Sequence, residues 1–287
     1  MLAIYKKELR TYFNSMVGFV FLAFFLALIG IYTWAYNFAG GLGNFEVTLS
    51  SVSFLFVLLV PILTMRIIAE ENRQKTDQLL YTSPISIGKV VIGKYLAVLT
   101  LFLLGVAVIA FYPLIISQYG EVRLSLAYGG IIGFILLGAA YISIGLFISS
   151  LTESQLIAAV ISFLVMLLTY LISSISSMLP TSTFAQWMIL SVMFLVLCVI
   201  LYYMIHNIFM VAILGVIAEA ALAIVYFVKP SFYEGLISSI CSWFAVADRF
   251  SNFTLGLLDY SALVYYISIV FVFNFLTVQV IKKKRFN

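Results

Sequence analysis

The chain has 287 residues, of which 64% are hydrophobic and only 9% are charged, and its formal net charge is +4. About a quarter of the residues of a soluble domain are charged, so this composition excludes an ordinary soluble protein. Long segments, such as Leu124–Thr152 and Ser154–Ala218, contain no Asp, Glu, Lys or Arg. Because about 20 apolar residues span the hydrocarbon core as a helix, the pattern predicts an all-α polytopic membrane protein.

Residues 1–16 are the first predicted element, an amphipathic helix that lies in the membrane interface. Its apolar residues recur at helical spacing, and its cations lie on the other face, where they can contact lipid headgroups. The alternative is that the cations serve only to orient the first span. The apolar set is Leu2, Tyr5, Leu9, Tyr12, Phe13 and Met16, and the cations are Lys6, Lys7 and Arg10.

Eight apolar segments follow, each long enough to cross a membrane. Most Lys and Arg residues lie before the first segment, in the loop after the second, or in the C-terminal tail, and this bias places all three regions in the cytoplasm. Both termini on one side require an even number of spans, six or eight. The predicted spans are 16–37, 52–69, 92–117, 127–150, 155–177, 185–204, 207–228 and 261–281.

The loop after the second span is a dense island of charge. The spacing predicts a helix over 67–81, and Pro84 cannot continue it. Ser83 can cap a second helix with Pro84 at its first position, so 66–91 is predicted to be a cytoplasmic helical hairpin. A simple topogenic loop would be shorter, so docking to a cytoplasmic partner is the favoured interpretation. The charged residues are Arg66, Glu70, Glu71, Arg73, Lys75, Asp77, Lys89 and Lys94.

The order of residues in this hairpin resembles that of the type-2 ABC exporter permeases. It is most similar to the branch with the gliding-motility and nitrous-oxide-reductase-maturation permeases. The resemblance rests on a paired-acid start, a Thr–acid–Leu-Leu core, a Ser-Pro turn and a Gly-Lys pair before the third span. These are Glu70-Glu71, Thr76-Asp77 with Leu79-Leu80, Ser83-Pro84 and Gly93-Lys94.

The resemblance implies that the hairpin holds the coupling helix, which sits in a groove of a separate cytoplasmic ATPase subunit, and that 1–16 is the elbow helix. The family often has Gly where this chain has Lys75; a helix does not require Gly there, so we expect the helix to continue. A second, smaller contact is implied at Glu153, in the turn between the fourth and fifth spans. The implied coupling residues are Glu70, Glu71, Arg73, Lys75, Thr76, Asp77, Leu79, Leu80, Ser83 and Pro84.

The resemblance also implies the setting of the protein. The expected partners are the ATPase, a second permease chain, either identical or related, and membrane lipid, with no nucleic acid. The expected location is the bacterial plasma membrane. Residues 183–228 add two apolar runs to the six-span plan, as an inserted pair of spans or as outer re-entrant helices. Residues 229–259 are then an outer connection with a short helix or a re-entrant piece.

The sequence lacks the motifs of an enzyme. No GxxxxGK[ST] phosphate loop is present, so ATP and Mg²⁺ are expected on the partner, and this chain is expected to need no cofactor. No catalytic residue or metal site is predicted. Glu219 is the one acid predicted inside a span, where a carboxylate suggests function, unless it lies at the interface. Two other classes stay open: a recruitment or sensor subunit, and a proton-coupled carrier that uses Glu219.

Overall fold

The computed structural model describes residues 1–75, 85–205, 208–257 and 259–286. The regular structure in these ranges is helical throughout, with no strand. Within them, six helices are long and apolar enough to cross a membrane, and a bent pair makes a seventh if it is counted as one span. The prediction of an all-α polytopic membrane protein is confirmed.

The helices follow the predicted spans to within a few residues, with one exception. A π-helical segment, Trp34–Ala39, extends the second helix, and a short 3-10 helix, Pro230–Tyr233, follows the eleventh. The α-helices are α1 (Leu2–Asn14), α2 (Met16–Thr33), α3 (Phe45–Val52), α4 (Leu55–Thr64), α5 (Ala69–Gln74), α6 (Ile87–Ile109), α7 (Tyr112–Ile116), α8 (Leu124–Leu151), α9 (Gln155–Met178), α10 (Thr183–Ile205), α11 (Ile208–Val228), α12 (Leu236–Phe244), α13 (Phe250–Thr254) and α14 (Tyr260–Phe286).

The exception is the second predicted span, 52–69, which is not one straight helix. Only its first residue, Val52, belongs to α3, and α4 begins at Leu55 after a bend of 57°. Residues 65–68 form a turn before α5. The hydroxyl of Thr48 in α3 donates to Asn37 Oδ1 at 2.6 Å, and the Asn37 amide donates to the Leu42 carbonyl at 2.7 Å. These bonds tie α3 to the π-helical segment Trp34–Ala39, so a separate short helix precedes the predicted span.

Residues 1–170 and 246–287 form one compact unit, with α8 at its centre. Helices α3, α4, α6, α13 and α14 all pack against α8. Phe134 of α8 contacts Phe56 of α4 with ring centroids 4.5 Å apart, and it also contacts Phe25 of α2 and Phe102 of α6. Since lipid gives helices little hydrophobic reason to associate, close packing of this kind is what holds them together.

Glycines of α8 allow its neighbours to approach closely. A Cβ added at Gly133 would lie 2.6 Å from Phe253 of α13, and one added at Gly138 would lie 2.5 Å from the Phe102 ring. Small residues at such positions let helices pack closely in membranes.

Residues 171–245 form the second compact unit. It contains α10 and α11, which pack against each other, followed by the 3-10 helix and α12. Within α10 the apolar stretch suited to a membrane is Thr183–Val199, which is shorter than the six full-length candidates. The eight-span count and the insertion of 183–228 therefore stay predictions.

Replacing Gly133 by Ala tests the packing of α8. The new methyl group would overlap Phe253, and we expect a loss of about 1–3 kcal/mol in stability. Gly88→Ala is the matched control, because a Cβ at Gly88 meets nothing within 4 Å. That change should be neutral or stabilising by up to about 1 kcal/mol. Thermal unfolding of the purified variants measures both, and equal midpoints would contradict the packing.

Candidate coupling site

The charged island forms a short helix, α5, rather than the predicted helix over 67–81. It begins at Ala69 and ends at Gln74, because Lys75 has a left-handed backbone with φ 54°. Such a residue ends a helix, and Gly is the residue that favours it. The expectation that the helix continues through Lys75 is wrong, and the Gly found there in the family matches the conformation of this position.

The second half of the predicted hairpin lies only partly within the described residues. Six of the predicted coupling residues lie outside the described residues. The next helix among the described residues, α6, begins at Ile87, with Ser86 extended at its N-cap. The six residues are Thr76, Asp77, Leu79, Leu80, Ser83 and Pro84.

A buried ion cluster connects α5 to the rest of its unit. Lys94 of α6 is 2% exposed. Its Nζ lies 3.1 Å from a carboxylate oxygen of Glu8 in α1 and 2.8 Å from one of Glu71 in α5. It also donates to the Ile67 carbonyl at 2.9 Å. One ammonium group therefore binds two segments that are far apart in sequence, α1 and residues 67–71.

Lys7 extends the cluster towards the surface. Its Nζ lies 3.0 Å from Glu71 and 3.5 Å from Glu8. Burial alone would lower the pKa of Lys7, but hydrogen bonding and charge from Glu71, with help from Glu8, raise it above its usual value. Lys7 was predicted to face lipid headgroups, whereas here it pairs with α5.

The two adjacent acids of α5 have different surroundings. Glu71 accepts from Lys94 and Lys7, whereas Glu70 pairs with Arg66 at 2.8 Å. Burial alone would raise the pKa of Glu71, but the charges and hydrogen bonds of Lys94 and Lys7 outweigh it and hold that pKa below its usual value. Glu71 is therefore charged at neutral pH, and its carboxylate is engaged inside the protein.

The elbow helix, α1, packs against the rest of its unit through one narrow stripe. The residues of α1 that are buried are Ile4, Glu8 and Tyr12, spaced four apart, and the Tyr12 hydroxyl donates to the Leu63 carbonyl at 2.8 Å. Leu2 and Met16, from the apolar set predicted to lie at the membrane interface, are exposed. The buried stripe includes an acid because Lys94 lies opposite it. The other two predicted interfacial cations, Lys6 and Arg10, are exposed, and their contact with headgroups stays a prediction.

A single serine of α8 holds the start of α5. The buried hydroxyl of Ser149 accepts from the backbone amides of Ile68 and Ala69, at 3.2 and 3.1 Å. It also donates to the Met65 carbonyl at 3.2 Å. A hydroxyl has one donor and two acceptor sites, and all three are used here. The last turn of the central helix thus fixes where α5 begins.

The turn after α8 lies beside α5. The Asn72 amide of α5 donates to the Thr152 carbonyl at 3.3 Å, and Glu153, the predicted second contact, follows directly and is exposed. From the C-terminal tail, Lys284 donates to the Ser150 carbonyl at 2.8 Å, where a cation suits the end of a helix. The structure therefore brings the turn, the tail and α5 together, although their separations in sequence gave no sign of it.

The exposed end of α5 is cationic. Arg73, Gln74 and Lys75 are all exposed, whereas Ala69 and Asn72 are buried. Because the acids are paired and partly covered, a partner that approaches α5 meets Arg73 and Lys75 first. Both residues belong to the predicted coupling set, and their role in coupling stays a prediction.

Glu219 belongs to the other unit. It lies near the middle of α11, and its Oε2 accepts from the Ser191 hydroxyl of α10 at 2.9 Å. This places it within an apolar helix, as predicted, rather than at its end.

Sequence reasoning missed Glu8, Lys94 and Ser149 as site residues. Glu8 carried a signal, because it lies four residues from both Ile4 and Tyr12 and so shares their face. Lys94 was noted only as part of a motif, and nothing near Ser149 marks it.

Comparison with protein families decides the class. A model described as ABC-2 family transporter protein matches residues 32–229, more than half of the chain. The chain belongs to the ABC-2 transporter family. It is therefore a multi-pass membrane protein and a transport component of the ABC-2 type. The matched range includes α5, α8 and the α10–α11 pair. Among curated proteins, no relative matches the chain.

Replacing Lys94 by Met tests the ion cluster of this ABC-2 protein. Two carboxylates would be left without their buried cation, and we expect a loss of about 3–5 kcal/mol in stability. Adding Glu8→Gln and Glu71→Gln to Lys94→Met should restore much of it, because no uncompensated charge remains. Lys89→Met, at an exposed site on the same helix, should change stability by less than about 0.5 kcal/mol. Thermal unfolding midpoints give the comparison, and a Lys94 variant as stable as the Lys89 variant would contradict it.

Replacing Ser149 by Ala tests the anchor of α5. Two buried amides would lose their acceptor, at a cost of about 1–3 kcal/mol. Ser143→Ala is the control: Ser143 is equally buried in α8, but among the described residues its hydroxyl bonds only to Ala140 of its own helix. Hydrogen exchange at residues 68–74 should rise in the Ser149 variant and stay unchanged in the control. Unchanged exchange in both variants would mean that Ser149 does not hold α5.

Proposed function

We propose that this chain is the transmembrane subunit of an ABC exporter, and that α5 is the helix through which a separate ATPase subunit moves the spans. The observation that supports this most strongly is the ion cluster of Lys94, Glu8 and Glu71. It connects α5 directly to α1 and to the first turns of α6. A displacement of α5 is therefore a displacement of both helices.

The surroundings of α5 suit a transmission element. Its outward end carries Arg73 and Lys75, and its inward side is held by Lys94 and by Ser149. A flexible loop would absorb a push from a partner, whereas a helix fixed at several buried points passes it on as a rigid-body motion. ATP-driven closure of two ATPase subunits would thus shift α1, α6 and the end of α8.

The charge at the C-terminal end of α5 indicates what kind of surface its partner would present. Two exposed cations at the C-terminal end of α5 are complemented by an acidic groove, and complementary charge steers association. ATP and Mg²⁺ would bind to the ATPase. A second permease chain, identical or related, would complete the pathway between the two sets of spans.

The orientation follows from the same residues. A partner of α5 is cytoplasmic, which puts both termini on the cytoplasmic side and favours the plasma membrane of a bacterial cell. The positive-inside bias of the tail supports this placement. Within the ABC-2 family, the ordered motif of 70–94 favours the branch of gliding-motility and nitrous-oxide-reductase-maturation permeases.

Two other functions were open from the sequence, and family membership weighs against both. A recruitment or sensor subunit would bind a partner without ATPase activity. A proton-coupled carrier using Glu219 would transport its substrate after ATP depletion. Identifying the protein that co-purifies with the chain, and assaying its ATP hydrolysis, separates these from the ABC exporter.

Reversing the exposed cations tests the docking surface. Arg73→Glu combined with Lys75→Glu should lower the amount of co-purified ATPase at least about tenfold, because like charges would meet across the contact. Both residues are exposed, so the thermal unfolding midpoint should stay close to that of the wild type.

The control carries the same change of charge elsewhere. Lys282→Glu with Lys283→Glu reverses two exposed tail cations and should leave the ATPase bound. If both double variants lost the ATPase equally, net charge alone would explain binding. If neither did, the ATPase would dock elsewhere.

A further inference from the structure

The second unit contains a large apolar cavity with one acid in it. The cavity lies between α10 and α11 and has a volume of about 840 Å³. Leu195, Val199, Val211 and Val216 form part of its wall. Glu219 also lines the cavity, near the middle of α11. A space of this size suits a small organic molecule, and such sites are mostly apolar with a few placed polar groups.

The carboxylate of Glu219 is only half satisfied. Its Oε2 accepts from Ser191 at 2.9 Å, whereas its Oε1 is buried and has no hydrogen-bond partner among the described residues. Within the described ranges no Lys or Arg forms an ion pair with it. A carboxylate in an apolar span is costly without a counter-ion, so a cationic ligand group beside Glu219 would be favourable.

An aromatic side chain lines the same cavity. Trp187 lies at its edge, stacked on Tyr226 with ring centroids 5.3 Å apart. The face of an indole ring attracts cations, and Trp does so better than Tyr or Phe. The acid and the indole therefore favour the same kind of ligand group.

We propose that this cavity binds an amphipathic amine. The alkyl or aryl body of the ligand lies against the apolar walls, and its ammonium group donates to Glu219 Oε1. A neutral donor such as an alcohol would satisfy the oxygen but leave the charge uncompensated, so it binds more weakly. This site does not depend on the role proposed for α5, and its test measures binding without the ATPase.

Quenching of Trp187 fluorescence provides the test. Trp34→Phe and Trp243→Phe leave Trp187 as the sole tryptophan of the full chain, which is purified and placed in lipid nanodiscs. The probes are a brominated alkylamine and a brominated alcohol of the same chain length, since bromine quenches indole on contact. The amine should reach half-maximal quenching at a concentration at least about tenfold lower than the alcohol.

Three variants decide the outcome. Glu219→Gln should remove the preference for the amine, whereas Glu234→Gln, at an exposed acid of the same unit, should keep it. Gly215→Leu, which fills the cavity beside Cys198, should weaken quenching by both probes. Equal half-maximal concentrations for amine and alcohol in the wild type would overturn the proposal. So would an amine preference that survives Glu219→Gln, or quenching that Gly215→Leu leaves unchanged.

Discussion

The buried ammonium group of Lys94 is the constraint on which the cytoplasmic end of this protein depends. It is almost wholly removed from water, and two carboxylates and a carbonyl surround it. A buried charge is tolerated only when it is paired with good geometry, so Glu8 and Glu71 cannot move away without a large cost. Because those acids belong to α1 and α5, the elbow helix and the short charged helix are held at fixed positions on α6.

This arrangement gives the charged island two sides with different roles. The inner side holds α5 against α6 and α8, through Glu71 and through the backbone amides that donate to Ser149. The outer side carries the exposed Arg73 and Lys75, which we propose as the contact for the ATPase. The ion cluster explains how a helix of only six residues can stay in place at the end of a bundle of spans.

The sequence predicted the helical spans well, because a helix that crosses the hydrocarbon core needs a long run without charged residues. It did not predict the break between α3 and α4, since the run that contains it has no charge or glycine to mark it. The bonds of Thr48 and Asn37 that fix α3 join side chains across a loop, and no helical or turn spacing marks them in the sequence. Ion pairs such as Glu8 with Lys94 join residues far apart in the chain, so no spacing rule reveals them. Lys75 was misjudged for another reason: its conformation is one that a helix-propensity argument does not consider.

The distance between α1 and α5 during the ATP cycle tests the central claim most directly. Spin labels at the exposed positions Lys6 and Gln74, with Cys198 and Cys241 replaced by Ser, report this distance by pulsed electron resonance in the complex with the ATPase. If the ion cluster makes α1, α5 and α6 one body, the distance is the same in the nucleotide-free and ATP-bound complexes, and it broadens when Lys94 is replaced by Met. A distance that changes with nucleotide in the otherwise unaltered chain would show that α5 moves independently, and it would contradict the account.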